Sequence, residues 1–171
     1  RFENADSFLS QCTDKVLVNN AKYLTNRSVD EIIDLFIKKS IQTCEKSTIN
    51  NKNMLFIWKQ FLSDTHLPGI IFHEDFIEKI KIKLNYDLDE KMFLNITSVR
   101  IPVVASFLDF WKKNIEEDTE EPEIEIGEIA CFFKKWSENN FNGVEECYLL
   151  DLIKHFYNEV NIKDDKYLTN N

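Results

Sequence analysis

Apolar residues along this chain recur at spacings of three and four more often than two, a pattern that predicts helices. The clearest run is 98–115, where Val103, Val104, Phe107, Leu108, Trp111 and Ile115 make a wide apolar stripe. Ser98 suits a helix cap, and Pro102 is tolerated in the first turn, where its missing N–H costs nothing. Phe110 extends the stripe to a second side, so this segment is expected to be a central helix with more than one neighbour.

The same spacing organises the rest. Phe8, Leu9, Cys12, Val16 and Leu17 suit a first helix within 2–24, breaking near Asn19-Asn20. Ser28 followed by Glu31 is a capping box opening a helix to about Cys44, with Ile32, Ile33, Leu35, Phe36, Ile37 and Ile41 as its stripe. Residues 45–52 read as a polar linker, and Asn53 as the cap of a helix over 54–62. After the Pro68-Gly69 turn, 73–85 is double-valued. Ile80, Ile82 and Leu84 alternate as in a strand, whereas Phe76, Ile77, Ile80 and Leu84 keep helical spacing. Glu74 and Asp75 at one end and lysines at the other match a helix dipole, so helix is expected. Further helices are predicted over 88–94, 124–139 and 144–158, with a brief extended piece at 160–162.

The expectation is an all-α fold: a single helical domain of about six or seven helices with an aromatic core. Residues 1–115 would form the helical core, 116–123 an acidic linker, and 124–171 a helix-turn-helix-like C-terminal part. Trp58, Trp111 and Trp136 lie in similar aromatic surroundings, but their spacings show no repeat period. Sharing of one aromatic core by their three helices is expected, since a buried large ring truncated to Ala costs about 3–5 kcal/mol.

Charge sharpens this picture. The chain carries a net charge of −9, and 116–128 hold eight acids and no base, leaving the remainder near neutral. Such a band repels nucleic-acid phosphates and anionic membranes. No apolar run approaches the roughly 20 residues that span a bilayer, so no membrane partner is expected and an intracellular setting is. The chain opens at Arg1 without a Met, as expected of a piece of a longer polypeptide.

Little supports catalysis. Glycine occurs at 69, 127 and 143, too sparsely for a phosphate-cradling loop. Cys12, Cys44, Cys131 and Cys147 lack Cys-x-x-Cys spacing and are expected to be buried free thiols. His66 and His73 flank a turn at no standard zinc spacing. Cys147 and His155, eight apart on one helix, would stand about 12 Å apart and cannot pair. No enzyme activity, metal or cofactor is expected.

The text Glu128-Ile-Ala-Cys-Phe-Phe-Lys-Lys-Trp136, then Leu149-Leu-Asp-Leu-Ile-Lys-His-Phe156, resembles the winged-helix tails of viral and phage superfamily 3 primase–helicases. The likeness covers 124–168 and implies a helix, a turn, a second docking helix and an extended tail. The overall vocabulary, rich in Asn, Lys, Ile and Phe, is similar to that of proteins of large DNA viruses. The likeness departs in charge: 143–171 hold six acids and three lysines, a poor surface for nucleic acid. The leading expectation is therefore a non-catalytic protein-interaction module of a larger protein. Glu116, Glu117, Asp118, Glu120, Glu121 and Glu123 would meet a partner protein with a basic surface. The alternative is a nucleic-acid-binding accessory domain of a viral replication or transcription protein, using Lys79, Lys81 and Lys83.

Overall fold

The computed structural model describes residues 10–116, 123–138, 140–141 and 143–169. The chain divides into two compact units, Arg1–Ser98 and Val99–Asn171.

The first unit begins with α1 (Lys15–Thr25), which runs unbroken through Asn19 and Asn20. In α2 (Val29–Ser40) the reciprocal capping box forms as the sequence predicts. The Ser28 backbone N–H donates to Glu31 Oε2 at 2.7 Å, and the Glu31 N–H donates to Ser28 Oγ at 3.2 Å. Both groups are orphan donors of a first helical turn, so the box fixes where α2 starts. Strand β1 (Gln42–Asn50) follows, then α3 (Asn51–Asp64), α4 (His73–Lys83), β2 (Tyr86–Asp87) and β3 (Met92–Thr97). Asn50, not Asn53, caps α3: its side chain accepts from the Asn53 N–H at 2.8 Å. The helices bury Ile32, Ile33, Phe36, Trp58, Phe61, Phe76 and Ile80 against one another. Phe36 is the hub, edge-on to Trp58, Phe61 and Phe76 at ring-centroid distances of 5.2, 5.5 and 5.6 Å.

The sheet of this unit is antiparallel in the order β1-β3-β2. Its register breaks between Thr43 and Thr48, so that residues 44–47 of β1 face Asn95 alone on β3. Asn95 (φ 57°) and Lys46 (φ 63°) take left-handed backbone there, and Asn95 Oδ1 accepts the Lys46 N–H at 3.2 Å. Asparagine tolerates that conformation better than most residues do. The bulge bends β1 and occupies a backbone donor that the ladder has lost.

The second unit contains α5 (Ile101–Asn114), β4 (Glu123–Glu125), α6 (Ile126–Trp136), α7 (Glu146–Phe156), β5 (Asn161–Lys163) and β6 (Tyr167–Thr169). Pro102 sits in the first turn of α5 as expected, but Arg100 occupies the cap position and Ser98 is buried instead. The sheet order is β4-β6-β5, again antiparallel. Phe107, Phe110 and Phe133 form its aromatic centre, joined by Trp111 against Tyr157 (4.5 Å) and Trp136 against Phe110 (5.7 Å).

From α2 onward the first unit repeats the plan of the second: helix, strand, two helices, then a hairpin whose last strand lies between the other two. The correspondence reaches individual residues. Buried Phe36 and Phe110 stand 74 positions apart, each two residues before a Lys-Lys pair that ends its helix. The cap residues Asn50 and Glu125, the buried rings of Trp58 and Phe133, and the buried Phe93 and Leu168 of the central strands each stand 75 apart. The turns Asp89-Glu-Lys91 and Asp164-Asp-Lys166 match at the same offset.

This architecture overturns the all-α expectation: seven helices share the described residues with two three-stranded antiparallel sheets, so the fold is mixed α/β rather than a helical bundle. The supposed linker over 45–52 is most of β1, whose single fully buried side chain, Ile49, left no period to read. The helix expected over 88–94 is a hairpin. Phe93 and Ile96 are both buried though three apart, because the bulge at Asn95 shifts the alternation and imitates a helical spacing. Trp58 packs on Phe36 and Phe61 in the first unit, and Trp111 and Trp136 pack on Tyr157 and Phe110 in the second. The divide at Ser98 precedes the helix that the sequence reading grouped with 1–115. All four cysteines are free as expected, but Cys131 and Cys147 are exposed and Cys12 and Cys44 half-buried, not buried.

Candidate interaction surface

In each unit the second of the paired helices, α4 or α7, is followed directly by the hairpin. In α4, Phe76, Ile77 and Ile80 turn inward and Asp75, Glu78 and Ile82 turn to solvent. Spacings of three and four put these last three on one stripe. Ile82 is 87% exposed. Phe72, just before the helix, and Leu88, in the β2–β3 turn, are exposed at 84% and 76%. That turn is held by Asp87, whose Oδ1 accepts the N–H groups of Asp89 and Glu90 at 2.9 and 3.0 Å.

The three candidate phosphate-binding lysines are already engaged. Lys79 Nζ lies 2.9 Å from Asp30 and Lys83 Nζ 2.6 Å from Asp34, both carboxylates of α2. Lys81 Nζ lies 2.7 Å from Glu78 and over the Tyr86 ring at 4.8 Å. The hydrogen bond from Lys79 holds the Asp30 carboxyl below the usual carboxylate value, and the bond to Glu78 raises the Lys81 ammonium above its usual value. The structure thus brings the lysines together on one helix, but as partners of acids.

In α7, Glu146, Cys147, Asp151 and Lys154 are exposed, and Glu145 precedes them at the cap. Here too the lysines meet acids: Lys154 with Asp165 at 2.6 Å, Lys163 with Glu123 at 3.4 Å and Lys166 with Glu125 at 3.1 Å. Bonds to Tyr167 and then Glu125 raise the Lys166 ammonium. Burial, and then the Glu145 carboxylate 3.5 Å away, push the Cys147 thiol upward. A higher thiol value means less thiolate, so Cys147 is poorly suited to nucleophilic attack. Its partner in the sequence argument, His155, packs edge-on to Phe156 at 4.8 Å.

Of the acidic residues expected to meet a partner, Glu116 is exposed just beyond α5, and Glu117, Asp118, Glu120 and Glu121 lie outside the described residues. Glu123 belongs to β4 and is spent on Lys163. Farther along the band, Glu125 and Glu128 build the capping box of α6. Three of the eight acids in the run are therefore tied into local structure.

Among the described residues no three His, Cys, Asp or Glu side chains are grouped to hold a metal ion, and no helix is long and apolar enough to cross a membrane. An open crease of about 510 Å³ between α6 and α7 is lined by Gly127, Cys131, Phe141, Glu145, Glu146 and Cys147. Sequence reasoning missed Phe72, Ile82 and Leu88. The signal for Ile82 was present: two positions on a helix differ by about 200°, so Ile80 and Ile82 cannot both be buried on one face.

No protein-family model matches the chain, and neither a curated protein nor a solved structure shows significant similarity to it.

Proposed function

We propose that the chain is a non-catalytic protein-interaction module made of two winged-helix-like repeats, whose acidic faces meet a partner protein with a basic surface. The winged-helix term rests on topology, a helix-strand-helix-helix-hairpin order with the last strand between the other two. The observation that carries the functional reading is the charge of α4 and α7. Glu74 and Asp75 of α4 and Glu146 and Asp151 of α7 face solvent, and Lys79, Lys81, Lys83 and Lys154 are paired with carboxylates, Glu78 of α4 among them. Nucleic-acid affinity comes largely from cations that neutralise phosphates, and lysines already bound to acids contribute little to it. Exposed acids instead give speed and selectivity toward basic proteins.

The test pairs two measurements. In a mobility-shift titration at low salt, no binding of single- or double-stranded DNA or RNA is expected up to tens of micromolar protein. A deca-arginine peptide should bind, with affinity falling as salt rises. Joint substitution Glu74→Gln, Asp75→Asn, Glu78→Gln should weaken it more than neutralising three acids elsewhere, such as Glu45, Asp64 and Asp109. Binding of nucleic acid, or equal effects of the two triple variants, overturns the reading.

A further inference from the structure

The two repeats differ in how the helix before the hairpin is fastened to its unit. In the first unit two acids one turn apart on α2 meet two lysines one turn apart on α4. Lys79 Nζ lies 2.9 Å from Asp30 Oδ1, and Lys83 Nζ 2.6 Å from Asp34 Oδ1. At an offset of 74 from α2 and 73 from α4, the second unit has Val104, Leu108, Leu152 and Phe156 in these places. The same offsets lay Phe36 on Phe110, Phe76 on Leu149 and Ile80 on Ile153, all of them buried. Val104, Leu152 and Phe156 are buried too, and Leu108 is half-buried. So α7 buries Leu149, Leu152, Ile153 and Phe156, whereas α4 buries Phe76, Ile77 and Ile80 and adds a ladder of charge.

We infer that the α2–α4 ladder is a salt-sensitive latch, which makes α4 the releasable helix of the first unit while α7 stays fixed in the second. The side chains of Asp30 and Asp34 are 56% and 62% exposed, so dissolved ions reach both pairs. In 1 M salt the screening length falls to about 3 Å, the length of the pairs themselves. The apolar residues at the matching places of the second unit have no charge to screen. Beneath α4 lies the ring cluster of the first unit: Phe76 stacks on Trp58 at 4.5 Å and stands edge-on to Phe36 at 5.6 Å. Release of α4 therefore uncovers Trp58 and Phe36 in a local opening, with the rest of the chain still folded. The latch operates whether or not the acidic faces meet a basic partner.

Hydrogen exchange of the whole chain, read by mass spectrometry at pH 7 in 0.05 and 1 M NaCl, tests this. Amides over 77–84 should exchange about fivefold faster at the higher salt, the size of effect that two exposed ion pairs supply. Amides over 150–157 should keep their rates and serve as the internal control. The double variant Asp30→Val, Lys79→Leu puts the second unit's residues at one rung without changing net charge, and should cut the salt response of α4 to about twofold. The double variant Asp30→Asn, Asp34→Asn should exchange faster in α4 already at 0.05 M NaCl and gain nothing further from salt. Equal salt responses of α4 and α7 in the unaltered chain overturn the inference without recourse to any variant. A salt response of α4 that persists in full in either double variant overturns it as well.

Discussion

Replacing one phenylalanine by alanine at two positions gives a direct test of how the first unit is held together. Phe36 is fully buried and touches three other rings, whereas Phe72 is 84% exposed. Removing a buried phenylalanine ring costs about 3–5 kcal/mol, from lost transfer energy plus the cavity that remains. Each edge-on ring pair contributes about 0.5–1.5 kcal/mol within that total, so Phe36→Ala belongs at its upper end. With a urea dependence of about 2 kcal/mol per molar, the unfolding midpoint should fall by about 2 M. Phe72→Ala leaves no cavity and should stay within about 0.5 kcal/mol, a shift of about 0.25 M or less. Urea titrations followed by circular dichroism and tryptophan emission measure both, with Trp58, 5.2 Å from Phe36, reporting the loss locally. Equal shifts for the two variants would refute the assignment of Phe36 as the hub.

Further outcomes follow from local geometry. Ser28→Ala removes one half of the α2 capping box and should cost about 1 kcal/mol, read as a lower urea midpoint. Gly127 in α6 has no left-handed backbone, and a Cβ there would meet the movable end of Glu146 at 3.2 Å. Gly127→Ala should therefore raise stability by about 0.5–1 kcal/mol, and a loss of more than 1 kcal/mol in thermal denaturation would contradict that geometry. Asp30 has its folded carboxyl value depressed by Lys79, so its contribution is complete above the unfolded value near pH 4 and is lost as pH falls through the folded value. Lys79→Met should move the Asp30 titration upward, measured by carboxyl ¹³C shifts. Glu145→Gln removes one cause of the raised Cys147 thiol and should speed its alkylation at pH 7.5, followed by mass spectrometry.

Helices were legible where residues did two jobs at once. Ser28 and Glu31 announce the start of α2, and Phe76, Ile80 and the charges at the ends announce α4. The sheets were hidden for physical reasons. β1 is an edge strand with one fully buried residue, and the bulge opposite Asn95 destroys the alternation on β3 that would have marked it. The repeat was hidden because its partners are different rings: Trp58 corresponds to Phe133, and Trp136 to Phe61. Tracking tryptophans alone therefore misses a period that tracking aromatic and aliphatic positions together reveals. For the interaction surface, the sequence showed the charge of α4 but not its engagement. Lys79 and Lys83 find their acids 49 residues away, a distance no local pattern encodes. Conversely, the run 116–128 looked free, yet Glu123, Glu125 and Glu128 are tied to β4 and α6.

The kinked rim of the first sheet has a consequence for the protein's behaviour at high concentration. A nine-residue outer strand with open backbone groups is a template on which a foreign chain can grow. With four residues looped out against one, and a lysine lifted at the crest, β1 offers an incoming chain no straight row of donors and acceptors. Straightening that kink by deleting residues 45–47 should increase the formation of thioflavin-binding fibrils relative to the intact chain.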